Sequence, residues 1–165
     1  MIKTELFGHF AFLLPFLLLL THSKNAVAQT IPPFRMQLTN EKNFTAKNVS
    51  QTKPVIIIYF APDCEHCRNL IKAVLSKSQN FRNAQVILVS FEPLTMIISF
   101  EKEFDLKKYP NILCGTETPT FYFKNLFNLV HTPFTALYDK RGKLVIFYKE
   151  ETPVDDLILH LKKLG

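Results

Sequence analysis

The run Val55-Ile56-Ile57-Ile58-Tyr59-Phe60 constrains this chain more than any other stretch, because six consecutive apolar residues leave no polar face to turn to water. Such a β-branched segment is satisfied as a central strand covered on both sides. It leads straight into Ala61-Pro62-Asp63-Cys64-Glu65-His66-Cys67, after which Leu70, Ile71, Val74 and Leu75 recur at helical spacing. The expected unit is therefore a buried strand, a sharp turn, and one amphipathic helix from Cys64 to about Lys77 packed on the sheet. Two cysteines separated by two residues stand where that helix begins.

Their position has chemical consequences. The first turn of a helix has unpaired backbone N–H groups and the positive end of the helix dipole, and both favour thiolate over thiol. Cys64 is thus the expected nucleophile. Cys67 lies three residues on, on the same face, where it can attack a mixed disulfide at Cys64 and release the product. The same spacing also makes half of a zinc site or a structural disulfide, but its placement directly after a β-run favours a redox pair. Asp63 reads as the helix N-cap or its neighbour.

The N-terminal segment has the pattern of a secretory leader, with Lys3 ahead of an apolar stretch from Phe10 to Leu20 and then Ala26-Val27-Ala28. Cleavage after Ala28 is expected to leave residues 29–165 as one domain in the periplasm or otherwise exported. The alternative, an uncleaved anchor, needs about 20 apolar residues, and this run is shorter and contains Pro15. Of the formal net charge of +6, the leader carries +1 through Lys3, Lys24 and Glu5. The remaining lysines are scattered rather than gathered into a stripe, so a nucleic-acid partner is not expected. Three cysteines are too few for a disulfide-stapled scaffold, and an exported compartment lets the Cys64–Cys67 pair persist oxidised. The odd thiol, Cys114, lies in an apolar run, and Glu117 nearby would oppose rather than favour its ionisation.

Elsewhere the chain alternates strands and helices. Phe34, Met36 and Leu38 alternate with polar residues, and Asn43-Phe44-Thr45 is a weak partner strand, giving a small N-terminal hairpin ahead of the main sheet. Ser78 to Asn83 reads as a loop, Val86 to Phe91 as a second buried strand, and Pro93 as the start of a helix through about Phe104. This β-α-β-α order implies a parallel strand pair with right-handed crossovers. Ile112 to Cys114 reads as a short extra strand. Thr118-Pro119 reads as a cap and first turn of an aromatic-rich helix to about Asn128. Phe134 to Tyr138 and Lys143 to Tyr148 read as a hairpin, and Thr152-Pro153 as the cap of the last helix.

The order strand, C-x-x-C helix, strand, helix, then Thr132-Pro133 leading a hairpin and a final helix resembles the thioredoxin fold, an α/β fold with a mixed central sheet and flanking helices. The stretches YFAPDCEHC and HTPFTALYDKRGKLV are similar to the active-site turn and cis-proline hairpin of exported thioredoxin-like and redoxin-type thiol-disulfide oxidoreductases. That resemblance implies that Pro133 is cis and shapes the groove receiving the substrate's extended chain, with Thr132 beside it as a modulating residue. It implies no cofactor beyond the redox-active disulfide Cys64–Cys67. The implied partners are protein thiols or disulfides and a membrane electron donor or acceptor.

The sequence also departs from the family pattern. Thioredoxins proper carry a buried acid six residues before the first cysteine, and here that place is Ile58. Phe60 stands where many relatives have tryptophan, and the peroxidatic motif of full peroxiredoxins is absent, so peroxide reduction is not expected. Glu65 disfavours the Cys64 thiolate, whereas a protonated His66 favours it. Histidine at that position resembles the oxidant DsbA; glutamate after the first cysteine resembles exported reductases. A second reading is a Sco-like copper-binding or copper-delivery protein in which Cys64, Cys67 and His131 bind the metal, although those chaperones space their cysteines by three residues.

Overall fold

The computed structural model describes residues 30–117 and 119–165. The leader expected over residues 1–28, with its cleavage site after Ala28, and the cap expected at Thr118 lie outside the described residues. Seven strands form one mixed sheet: β1 (Arg35–Leu38), β2 (Asn43–Thr45), β3 (Val55–Phe60), β4 (Gln85–Ser90), β5 (Ile112–Thr116), β6 (Phe134–Tyr138) and β7 (Leu144–Lys149). Their order across the sheet is β2-β1-β5-β4-β3-β6-β7. Helices α1 (Glu65–Ser76), α2 (Leu94–Glu103), α3 (Tyr122–Leu126) and α4 (Val154–Lys162) cover it.

Every residue of β3 is buried, as an apolar run of that length requires. β3 pairs parallel with β4 and antiparallel with β6, and β4 pairs parallel with β5. Alternation along β3 sends Ile56, Ile58 and Phe60 to one face of the sheet and Val55, Ile57 and Tyr59 to the other. The first face packs against α1, α2 and α4. The second packs against α3 and the N-terminal hairpin.

Several expectations are corrected. The hairpin expected ahead of the main sheet forms as β1–β2, but it joins that sheet, because β1 also pairs antiparallel with β5. Gly115 permits this approach: a Cβ there would stand 2.3 Å from the Gln37 carbonyl oxygen. The strand expected at Ile112–Cys114 accordingly runs on to Thr116 and lies inside the sheet rather than beside it. Ser78–Phe81 is a helical turn, since Phe81 buries its ring in the core and fixes the segment. The helix expected from Pro119 to Asn128 is reduced to Tyr122–Leu126, bounded by left-handed backbone at Phe121 and Asn128. Thr152 does not cap α4. Its hydroxyl pairs with that of Thr135 at 2.8 Å, and Pro153 holds the N-cap position.

The β6–β7 turn follows its sequence. Asp139 Oδ1 accepts the N–H groups of Arg141 and Lys143, and Gly142 takes the positive φ of 76° that the turn needs. Among the described residues no helix is long and apolar enough to cross a membrane.

Candidate active site

Cys64 is itself the N-cap of α1, and Asp63 is its exposed neighbour. The turn out of β3 closes with the Cys64 N–H donating to the Ala61 carbonyl at 3.2 Å. Cys64 Sγ then accepts the backbone N–H of Cys67 at 3.2 Å. On its other side the Cys64 thiol donates to the Thr132 carbonyl at 3.5 Å. Cys64 remains partly exposed, and Glu65 and His66 beside it are exposed.

Cys67 differs in every respect. It has no exposed surface and is packed with Ile58, Phe60, Leu70 and Ile71. Burial, helped by the neighbouring Cys64 sulfur, pushes its thiol up to about 12, while hydrogen bonding to the Thr132 side chain and the Ala61 backbone pulls the other way. Ile58, where thioredoxins carry an acid, is a buried apolar neighbour in the same layer. The pair thus consists of an accessible sulfur at the helix N-terminus and an enclosed sulfur that holds its proton.

The Thr132–Pro133 peptide is cis. Pro133 is buried, and its carbonyl accepts the Glu150 N–H at 2.8 Å, which ties the loop after β7 to the proline. Beside this contact lies a cleft of about 670 Å³, lined by His66, His131, Thr132, Pro133, Glu150 and Glu151 among others. The structure therefore gathers Cys64, Cys67, Thr132 and Pro133 at one point, with His66 and His131 along the adjoining cleft. His131 is exposed, and among the described residues no group of three or more His, Cys, Asp or Glu side chains is arranged to hold a metal ion.

Cys114 is buried in β5, between β4 and β1. Burial raises its pKa first and the charge of Glu101 second, so the influence expected of Glu117 belongs to a different carboxylate. Glu117 is wholly buried and accepts the Tyr59 hydroxyl at 2.7 Å and the N–H groups of Phe123 and Lys124 at 2.7 and 3.3 Å. It serves as the cap of α3 from outside that helix. Arg68, directly after the pair, also escaped sequence reasoning: its side chain turns back to the Pro62 carbonyl at 3.1 Å. Spacing along the chain signals neither contact, because both depend on where the chain folds back.

The AhpC/TSA family description matches residues 27–153. A comparison with curated proteins finds no match. Among solved structures, the peroxiredoxin-like protein from Aquifex aeolicus superposes with a TM-score of 0.70 at 14% identity, covering 83% of this chain and 86% of that one. The secreted Mycobacterium tuberculosis disulfide oxidoreductase homologous to E. coli DsbE superposes at 0.65 with 14% identity, over 79% of this chain and 96% of that one. Copper-bound ScoI from Arabidopsis thaliana superposes at 0.62 with 17% identity, over 82% and 99%. At these identities the likeness shows the thioredoxin-like fold.

Proposed function

Since the chain belongs to the AhpC/TSA family of thioredoxin-like redox proteins, we propose that it exchanges disulfides with proteins outside the cytoplasm through Cys64 and Cys67. The observation that carries this reading is the contrast between the two sulfurs. Cys64 is accessible, accepts an N–H at a helix N-terminus and touches the carbonyl before the cis proline. Cys67 is enclosed, with its thiol held near 12.

In the reducing direction the Cys64 thiolate attacks one sulfur of a substrate disulfide. The substrate S–S bond breaks, its departing sulfur leaves as a thiolate and takes up a proton, and a mixed disulfide joins Cys64 to the other sulfur. Cys67 then gives up its proton and attacks Cys64 Sγ, releasing the second substrate sulfur as a thiolate that is protonated. The substrate has gained two electrons and two protons, and the pair has become a disulfide. A partner dithiol with access to electrons across the membrane restores it by the reverse steps. Run backwards, the same cycle oxidises substrate thiols. The reduction potential of the pair decides the direction; pairs of this type span roughly −270 to −120 mV.

Cys67→Ser removes the resolving thiol and should accumulate reducible adducts between Cys64 and partner proteins, whereas Cys64→Ser should accumulate none. Identical behaviour of the two variants would overturn the reading. Export is checked by the N-terminus of the secreted protein, expected at Gln29.

A further inference from the structure

We propose that Arg68 is a positioning residue, whose guanidinium braces against α2 the turn that presents Cys64. The proposal rests on Cys64 being the nucleophile. Arg68 begins the second turn of α1, and its backbone N–H donates to the Cys64 carbonyl at 3.0 Å. Its side chain does not extend into water as that of an arginine near a helix N-terminus ordinarily would; only 27% of it is exposed. Nη1 donates to the Pro62 carbonyl at 3.1 Å, and Nη2 pairs with the Glu103 carboxylate at the end of α2.

The guanidinium plane is held as well as its edges. Its central carbon lies 5.0 Å from the centroid of the Phe104 ring and 5.9 Å from that of Phe100. Phe100 stacks on Phe104 at 4.4 Å and meets Phe60, the last residue of β3, at 4.8 Å. Arg68 is thereby held between the turn at Pro62 and the C-terminal end of α2, whose Phe100 in turn packs on β3.

What it grips is the middle of the turn. Pro62 lies between the Ala61 carbonyl, which accepts the Cys64 N–H, and Cys64 itself. Displacing the Pro62 carbonyl would move Cys64 Sγ relative to both of its contacts, the Cys67 N–H and the Thr132 carbonyl. Lysine keeps the charge but is a single point donor without a plane, so it cannot hold Pro62, Glu103 and the two rings together.

The test follows Cys64 alkylation by iodoacetamide against pH in the reduced full-length protein, together with turnover and melting temperature. Arg68→Lys and Arg68→Gln should both slow alkylation at neutral pH, on the order of tenfold, with the profile displaced to higher pH and kcat lowered more than KM is raised. Lys72→Gln, which removes an exposed charge from the same helix, should leave the profile unchanged. Loss of melting temperature alone, with wild-type alkylation in both Arg68 variants, would overturn the proposal, since Arg68 would then merely join two helices. Slowing in Arg68→Gln but not in Arg68→Lys would overturn it in favour of charge. Should Arg68→Gln fail to fold, Arg68→Lys carries the test by itself. A wild-type Cys64 no faster than Cys114 would instead remove the thiol-exchange reading and this proposal with it.

Discussion

The two faces of the sheet are built differently. The face under α1, α2 and α4 is mainly aliphatic, with Ile56, Ile58, Leu70, Ile71, Val74, Leu88, Leu157 and Leu161, and it encloses Cys67. The face under α3 and the β1–β2 hairpin is rich in rings, among them Phe34, Phe44, Tyr59, Phe123, Phe127, Phe134 and Tyr138. There Phe34 meets Phe123 at 4.9 Å and Phe127 meets Phe134 at 4.8 Å, contacts worth about 0.5–1.5 kcal/mol each beyond their burial. The first face is made of long helices that bury a stripe; the second is made of short pieces joined by side chains from afar. The proposed redox pair belongs to the first face, where Cys67 is buried.

The largest effect expected from that division is loss of the nucleophile. Cys64→Ser should lower disulfide-exchange turnover by at least about a thousandfold while moving the melting temperature by only a few degrees, because Cys64 is partly exposed. An insulin-reduction assay beside a thermal melt reads both. Retained turnover would break the assignment of chemistry to this face.

On the ring-rich face the balance reverses. Glu117→Ala leaves the Tyr59 hydroxyl and the Phe123 and Lys124 N–H groups without their acceptor. The expected cost is about 2–3 kcal/mol of stability. Urea unfolding should show that loss, with turnover per folded molecule near wild type. A variant as stable as wild type would mean that the α3 cap is dispensable.

A pH series sharpens the comparison further. The Cys67 thiol is raised from about 9 to about 12 by burial. The unfolded chain therefore releases this proton first, so the stability linked to it is complete below about pH 9 and is lost as pH rises towards 12. Oxidation to the Cys64–Cys67 disulfide removes the titrating thiol. The reduced protein should consequently lose stability more steeply than the oxidised protein between pH 9 and 12, and parallel slopes in the two forms would contradict the burial of Cys67.

The smallest effect is expected at Cys114. Its burial in β5 raises its pKa and keeps it protonated, so Cys114→Ala should leave turnover and reduction potential unchanged and cost about 1 kcal/mol. Abolition of exchange, or of a covalent dimer formed without reductant, would show that the two-cysteine mechanism is incomplete.

Much of the face that encloses Cys67 is legible in the sequence. The β3 run, the helical spacing after Cys67 and the Asp139–Gly142 turn are local patterns, and each formed where its period or turn chemistry placed it. The cis peptide at Pro133 was reached through likeness to a family rather than through the residues, since nothing in Thr132-Pro133 alone distinguishes cis from trans. The region from Lys107 to Leu129 was read least well. Left-handed residues at Phe121 and Asn128 bound a helix too short to announce itself by periodicity, and its cap is the side chain of Glu117.

The sequence by itself determined which segments must be buried and where a cysteine meets a helix N-terminus, because burial pattern and helix spacing are properties of neighbouring residues. Only the tertiary structure decided that Cys67 is enclosed enough to hold its proton, that Glu117 caps a helix while bonding Tyr59, and that Arg68 binds Pro62 while lying over the Phe100 and Phe104 rings at the end of α2. Each of these depends on groups brought together from distant parts of the chain, where desolvation and hydrogen-bond geometry replace sequence distance as the governing quantities.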